Sequence, residues 1–241
     1  MTLQNRPIAL SAGTFCLALL LASCTAPAQR TAGATPGPVT AQSEPAPAEP
    51  VPSDSGWAFP VTGAVLPERE SQMPNAPRGY RGGTHEGIDI YNHADGTPLA
   101  CGEDVLNAAA GWVVRADHEW KTMVLREFEG LTAALKNEEN PAYLDRLRGR
   151  QVWVRTANGT VARYCHLSAI EEAVQVGLKI EGGLKIGAAG NTGTYDGAVG
   201  SSRNCHLHFE VWPSPDAFLG KGRAPKDALS LYARLIGTGR K

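Results

Sequence analysis

The chain has no block of basic residues and no excess of either charge: 23 Lys and Arg stand against 24 Asp and Glu, for a net charge of -1. Nothing in that balance recommends a nucleic-acid partner. The longest apolar stretch, Ile8 to Leu21, is diluted by Ser11 and Thr14 and is too short and too broken for a comfortable membrane span. Cysteine is scarce, and no two cysteines take the C-x-x-C spacing of a four-coordinate structural zinc site. The glycine-rich run Gly187 to Thr194 lacks the Lys-Ser/Thr ending of a phosphate loop, so turn chemistry is its simpler reading.

The amino-terminal quarter has little that could fold. Arg6 supplies a positive start, Ile8 to Leu21 an apolar stretch, and Leu21-Ala22-Ser23-Cys24 a close of small residues before a cysteine. This ending resembles the bacterial lipobox. It implies a signal peptide over 1–23, lipidation of Cys24 after cleavage, and a membrane partner reached through that anchor. Thr25 in place of Asp resembles lipoproteins sent to the outer membrane, facing the periplasm. Residues 24–56 then form a tether: Pro36, Pro38, Pro45, Pro47, Pro50 and Pro52 occur among Ala, Thr, Gly, Ser and Glu up to about Ser55, with no aromatic residue. Such a composition buries too little apolar surface to offset its ordering entropy. Extended at about 3.1 Å per residue, it reaches on the order of 90 Å.

Residues 57–241 are one domain's worth of chain, enough for a hydrophobic core. The pattern is mainly β. Ala110 to Arg115 reads as a strand, and Gln151 to Arg155, a turn at Asn158-Gly159, and Thr160 to His166 read as a hairpin. Between 116 and 150, Val124, Phe128, Leu131 and Leu135 fall at helical spacing, and Asn140-Pro141 with Gly149 brackets a second, short helix. A helical hairpin is therefore predicted between two strands, as a wall over a groove or a docking surface for an envelope protein. Ala228, Leu231, Tyr232 and Leu235 predict an amphipathic C-terminal helix on the sheet, stopped by Gly237.

The chemistry concentrates in a few short stretches. In His206-Leu207-His208-Phe209-Glu210, apolar and polar residues alternate, so both imidazoles share one face of a strand. In His85-Glu86-Gly87-Ile88-Asp89, an imidazole and a carboxylate lie four apart, an even spacing that can keep both on one side of extended chain. Of the six histidines, four sit in these stretches or in Tyr164-Cys165-His166-Leu167-Ser168. The helical H-E-x-x-H zinc motif is excluded, because Gly87 and Ile88 are poor helix residues and Asp89 stands where the second histidine belongs. Glu86 is expected to point away from a metal.

Taken in order, these stretches together with Gly190-Asn191-Thr192-Gly193 resemble the lysostaphin/LytM-type zinc endopeptidases that cut peptidoglycan cross-bridges, over roughly residues 57 to 236 apart from the insertion. The resemblance implies a compact fold of antiparallel β-sheets, the duplicated hybrid motif, with one Zn2+ on the floor of an open groove. Carried over residue by residue, it implies His85, Asp89 and His208 as zinc ligands and His166 and His206 as catalytic histidines. Proton-transfer chemistry makes one of the two the principal base, taken here as His206 with His166 its partner, the reverse assignment being the alternative. Three such ligands leave a fourth position open, as a catalytic zinc requires. Tyr80 is a candidate oxyanion donor. Some relatives have lost these residues and activate amidases without catalysis, so a silent peptidoglycan-binding or amidase-activating module of the same fold is the alternative. With Cys16 in the signal peptide and Cys24 lipidated, Cys101, Cys165 and Cys205 remain. Cys165 and Cys205 each precede a candidate site histidine, and strand alternation aims them at the opposite face, so a Cys165–Cys205 disulfide is expected.

Overall fold

The computed structural model describes residues 56–239. The expected signal peptide, Cys24 and the tether lie outside the described residues. After a 3-10 turn at Glu70–Gln72 come β1 (Ile88–Ile90), β2 (Asp104–Leu106) and β3 (Gly111–Ala116). Then follow α1 (Leu125–Ala134), α2 (Pro141–Leu147), β4 (Val152–Arg155), β5 (Val161–Cys165), β6 (Ala169–Ile170), β7 (Lys179–Ile180) and β8 (Lys185–Ala188). The short α3 (Tyr195–Ala198), β9 (Leu207–Trp212) and α4 (Pro225–Ile236) complete the described elements.

Two antiparallel sheets result, as the alternating strands and Asn-Gly turn predict. One has the order β1-β9-β5-β4-β3-β7 and the other β2-β8-β6. The apolar phase of the larger sheet, Ile88, Ile90, Val152, Val154, Ala162, Tyr164, Leu207, Phe209 and Val211, joins Val105 and Ile186 of the smaller sheet in one core. Tyr164 is wholly buried yet satisfied: its hydroxyl accepts from the Ala108 N–H at 2.6 Å and donates to Asn107 Oδ1 at 3.0 Å. The helix predicted at the C-terminus is α4. It buries Ala228, Leu231, Tyr232 and Leu235 as expected, and the Val211 N–H donates to the Tyr232 hydroxyl at 3.3 Å.

The other face of the larger sheet carries the site. Asp89 is opposite His208 across β1 and β9, and His208 is opposite Cys165 across β9 and β5. Period-two alternation therefore lines up Asp89, His208 and Cys165 on one face. Farther along, the Arg163 guanidinium lies 4.0 Å from the Trp153 ring centroid and 3.9 Å from that of Trp212. Its charge is met by stacked aromatic faces.

The helical insertion is present as predicted. Asn140 caps α2, its Oδ1 accepting from the Ala142 and Tyr143 N–H groups, with Pro141 next in line. The two helices share a small core of Met123, Leu135 and Leu147, with Phe128, Leu131, Tyr143 and Ala198 packed against it. Arg146 spans them, its Nε 2.6 Å from Glu127 Oε1.

The expected Cys165–Cys205 bridge is not formed. Cys205 pairs with Cys101, whose Cα lies 5.2 Å away, and Cys165 is a buried free thiol. The expectation failed because it carried alternation past the strand ends. The strand β5 stops at Cys165, and His166 adopts φ +61, so Cys165 faces the site alongside His208 instead of turning away.

Candidate active site

Each sequence-predicted ligand arrives with one donor atom free and its other polar atom occupied. His85 precedes β1 on chain strapped to the 73–77 segment: its N–H donates to Ala76 O at 2.9 Å, and its ring Nδ1–H donates to Met73 O at 3.0 Å. Gly87 lets this segment lie against β9, because a Cβ there would strike the Phe209 carbonyl oxygen. Asp89, at the centre of β1, offers Oδ1 and receives the Arg78 Nη2–H on Oδ2 at 3.0 Å. His208 donates Nε2–H to Glu210 Oε1 at 2.9 Å, which leaves Nδ1 as its acceptor.

The free atoms converge. His85 Nε2 lies 3.0 Å from Asp89 Oδ1 and 2.9 Å from His208 Nδ1, and Asp89 Oδ1 lies 2.8 Å from His208 Nδ1. A zinc ion with bonds of about 2.0–2.1 Å would widen these separations by a few tenths of an ångström. All three residues are buried. Burial lowers His85 to about 4 against the attraction of Asp89, so its ring is neutral at neutral pH, as a ligand must be. Burial alone would raise Asp89, but His85 and His208 hold it well below the usual carboxylate range. Burial would lower His208, but Asp89 and Glu210 outweigh it and the net shift is upward, so a metal at Nδ1 would compete with a proton there. The residues thus fit a zinc ion in donor type and orientation. A carboxylate behind a ligating histidine is the usual support for such a site.

Cys165, His208 and Glu210 also lie within ligand distance of one another. That group is already filled: Glu210 accepts from Arg148 Nε at 2.6 Å, Arg163 Nη1 at 3.3 Å and Trp212 Nε1 at 2.6 Å.

His166 and His206 flank the ligands without joining them. Their ring centroids are 4.8 Å apart, and His166 is 5.6 Å from His208. The left-handed backbone at His166, held by its N–H to Arg148 O at 2.8 Å, turns the ring back over the sheet. His166 Nδ1–H donates to Thr192 O at 2.8 Å and His206 Nδ1–H to Asn204 O at 2.9 Å, so each presents an unprotonated Nε2. His206 Nε2 is 3.8 Å from Asp89 Oδ1. Burial depresses both imidazoles, which favours the neutral form that can accept a proton.

These residues floor a cavity of about 450 Å³, walled by Phe128, Leu144 and Leu147 of the insertion and by Tyr195 of α3. The insertion is therefore a wall over the groove. Tyr80 lines the same cavity, half exposed. Glu86 also reaches it, but pairs with Arg148 and not with the ligand atoms. Four residues of the site were not singled out from sequence. Glu210 was legible, continuing the same strand face two places beyond His208. Arg78 on Asp89, Tyr91 stacked on His206 at 4.2 Å, and Arg148 at the end of the insertion sit in irregular chain without periodicity to mark them.

The family model for peptidase family M23 matches residues 83–219, more than half of the chain and every residue discussed as ligand or catalytic histidine. The chain belongs to peptidase family M23. Among solved structures, it is similar to a zinc-containing peptidase from Vibrio cholerae (21% identity, 65% of this chain and 36% of that one, TM-score 0.41). It is also similar to the lysostaphin catalytic domain from Staphylococcus simulans (22%, 66% and 89%, 0.40) and to LytM from Ruminococcus gnavus (18%, 75% and 62%, 0.42). The match thus spans about a third of the Vibrio cholerae protein and most of the lysostaphin domain. No curated protein matched the sequence. The mainly β fold of two antiparallel sheets is that expected of an M23 peptidase.

Proposed function

We propose that this M23 chain is a zinc-dependent endopeptidase that hydrolyses peptide cross-links of peptidoglycan. The observation that carries the reading is the convergence of His85 Nε2, Asp89 Oδ1 and His208 Nδ1 beside two unligated imidazoles in one cavity. When bound there, zinc supplies an acidified water and polarises the scissile carbonyl. His206 Nε2 takes the proton released as the new C–O bond forms. That proton then passes to the leaving amine as the C–N bond breaks, with His166 Nε2, across the cavity floor, as the partner base that takes it from His206 and delivers it. Tyr80, which lines the same cavity half exposed, is proposed as a donor to the developing oxyanion. The Phe128, Leu144 and Leu147 wall excludes water from one side of the reacting amide.

The lipobox-like ending at Cys24 and the proline-rich tether support attachment to the outer membrane with this domain in the periplasm. Labelling of Cys24 by a radioactive fatty acid, lost in Cys24→Ser, tests that anchor. For the activity, the full-length protein is incubated with purified sacculi and the soluble muropeptides are separated. Release of products with one new amine per cut supports the reading. Zinc-loaded protein that releases none across differing cross-links contradicts it, and leaves the silent module of the same fold.

A further inference from the structure

The end of the helical insertion is wired into both halves of the site. Arg148, the last residue of α2's cap, is buried, and its Nε donates to Glu210 Oε1 at 2.6 Å. The same Glu210 oxygen accepts the His208 Nε2–H at 2.9 Å. A second guanidinium nitrogen of Arg148 bonds Glu86, on the chain between the candidate ligands His85 and Asp89. Arg148 O accepts the His166 N–H at 2.8 Å, and Arg150 N–H donates at 2.9 Å to the hydroxyl of Thr192, whose carbonyl orients the His166 ring. Gly149, between them at φ +72, lies so close to Thr192 that any side chain would collide.

We infer that Arg148 is a positioning residue for zinc, acting through Glu210 to set the ring of His208, and that the helical insertion is thereby a working part of the site. Glu210 is a wholly buried carboxylate with four donors around it. Arg148 and His208 share one of its oxygens, so the guanidinium fixes where that oxygen stands, and the oxygen fixes the tautomer and tilt of the ligand ring. Lysine cannot copy this, because its single ammonium cannot bridge Glu210 and Glu86 in the planar geometry of a guanidinium. The inference rests on the proposed zinc chemistry.

Its test is zinc affinity, by competition with a chromophoric chelator, and the visible spectrum of the cobalt-substituted full-length chain, for the parent, Arg148→Met and Arg148→Lys. Arg148→Met is expected to weaken zinc binding by about 10–100-fold and to alter the cobalt bands, with Arg148→Lys recovering part of both. In a Glu210→Gln background, the further loss on adding Arg148→Met should be smaller than in the parent. A merely structural Arg148 would lower the melting temperature while the folded variants kept the parent's zinc affinity and cobalt spectrum, which overturns the inference. If Arg148→Met does not fold, Arg148→Lys decides: unchanged affinity and spectrum overturn it. A parent chain that binds no zinc removes the functional reading and this inference together. A parent that binds zinc, with variants that bind it equally well, removes this inference alone.

Discussion

His85, Asp89 and His208 each spend one polar atom on a neighbour, Met73, Arg78 and Glu210 respectively, and aim the other at a common point. His166 and His206 spend theirs on backbone carbonyls and aim an unprotonated nitrogen at the cavity. The two sets therefore predict different losses. His206→Ala and His166→Ala should retain zinc and lower kcat by roughly 10²–10⁴-fold each, as removal of a general acid or base does. Steady-state cleavage with parallel metal analysis measures both. At this scale the sequence was legible wherever periodicity held: the alternation through His206, His208 and Glu210 announced the polar strand face. It was not legible where backbone left the regular regions. His166 at φ +61 broke the alternation that placed Cys165, and the expected disulfide failed with it.

Among the elements, the hairpin of β4 and β5, the strand β9 and the C-terminal helix α4 were foreseen from alternation, an Asn-Gly turn and helical spacing. The insertion was legible from its cap, Asn140-Pro141, and its apolar spacing; what it touches was not, since Phe128, Leu144 and Arg148 meet the site only through tertiary packing. Its docking to the sheet has a titratable clamp. Arg115 on β3 donates to both oxygens of Asp145 on α2, at 2.6 and 2.9 Å. Burial would raise the Asp145 pKa, but Arg115 outweighs it and the net shift is downward. A depressed carboxylate contributes stability above its unfolded value, about 3.9, and loses it as pH falls through the lower folded value. Asp145→Asn should therefore cost about 1 kcal/mol or less at pH 7, since the Asp145 carboxylate is more than a third exposed and screened. Chemical denaturation at stepped pH should show the difference from parent shrinking below about pH 3.9.

For the molecule as a whole, the Cys101–Cys205 bridge ties the turn before β2 to the residue preceding His206, across a sequence separation of 104. A loop that long constrains the unfolded chain strongly, and loss of such a bridge typically costs about 2–5 kcal/mol. Reduction, or Cys101→Ser, should lower the melting temperature by roughly 5–15 °C, read by calorimetry with and without reductant. Cys165→Ser should leave the effect of reductant in place, because that thiol is outside the bridge. The central claim is that the three convergent residues hold one zinc ion and that the two flanking histidines do not. The most direct measurement is the zinc content of purified full-length protein by elemental analysis, for the parent, His208→Ala and His206→Ala. One zinc per chain in the parent and in His206→Ala, with none in His208→Ala, is the predicted result. A parent without zinc, or zinc lost equally from both variants, would contradict the account.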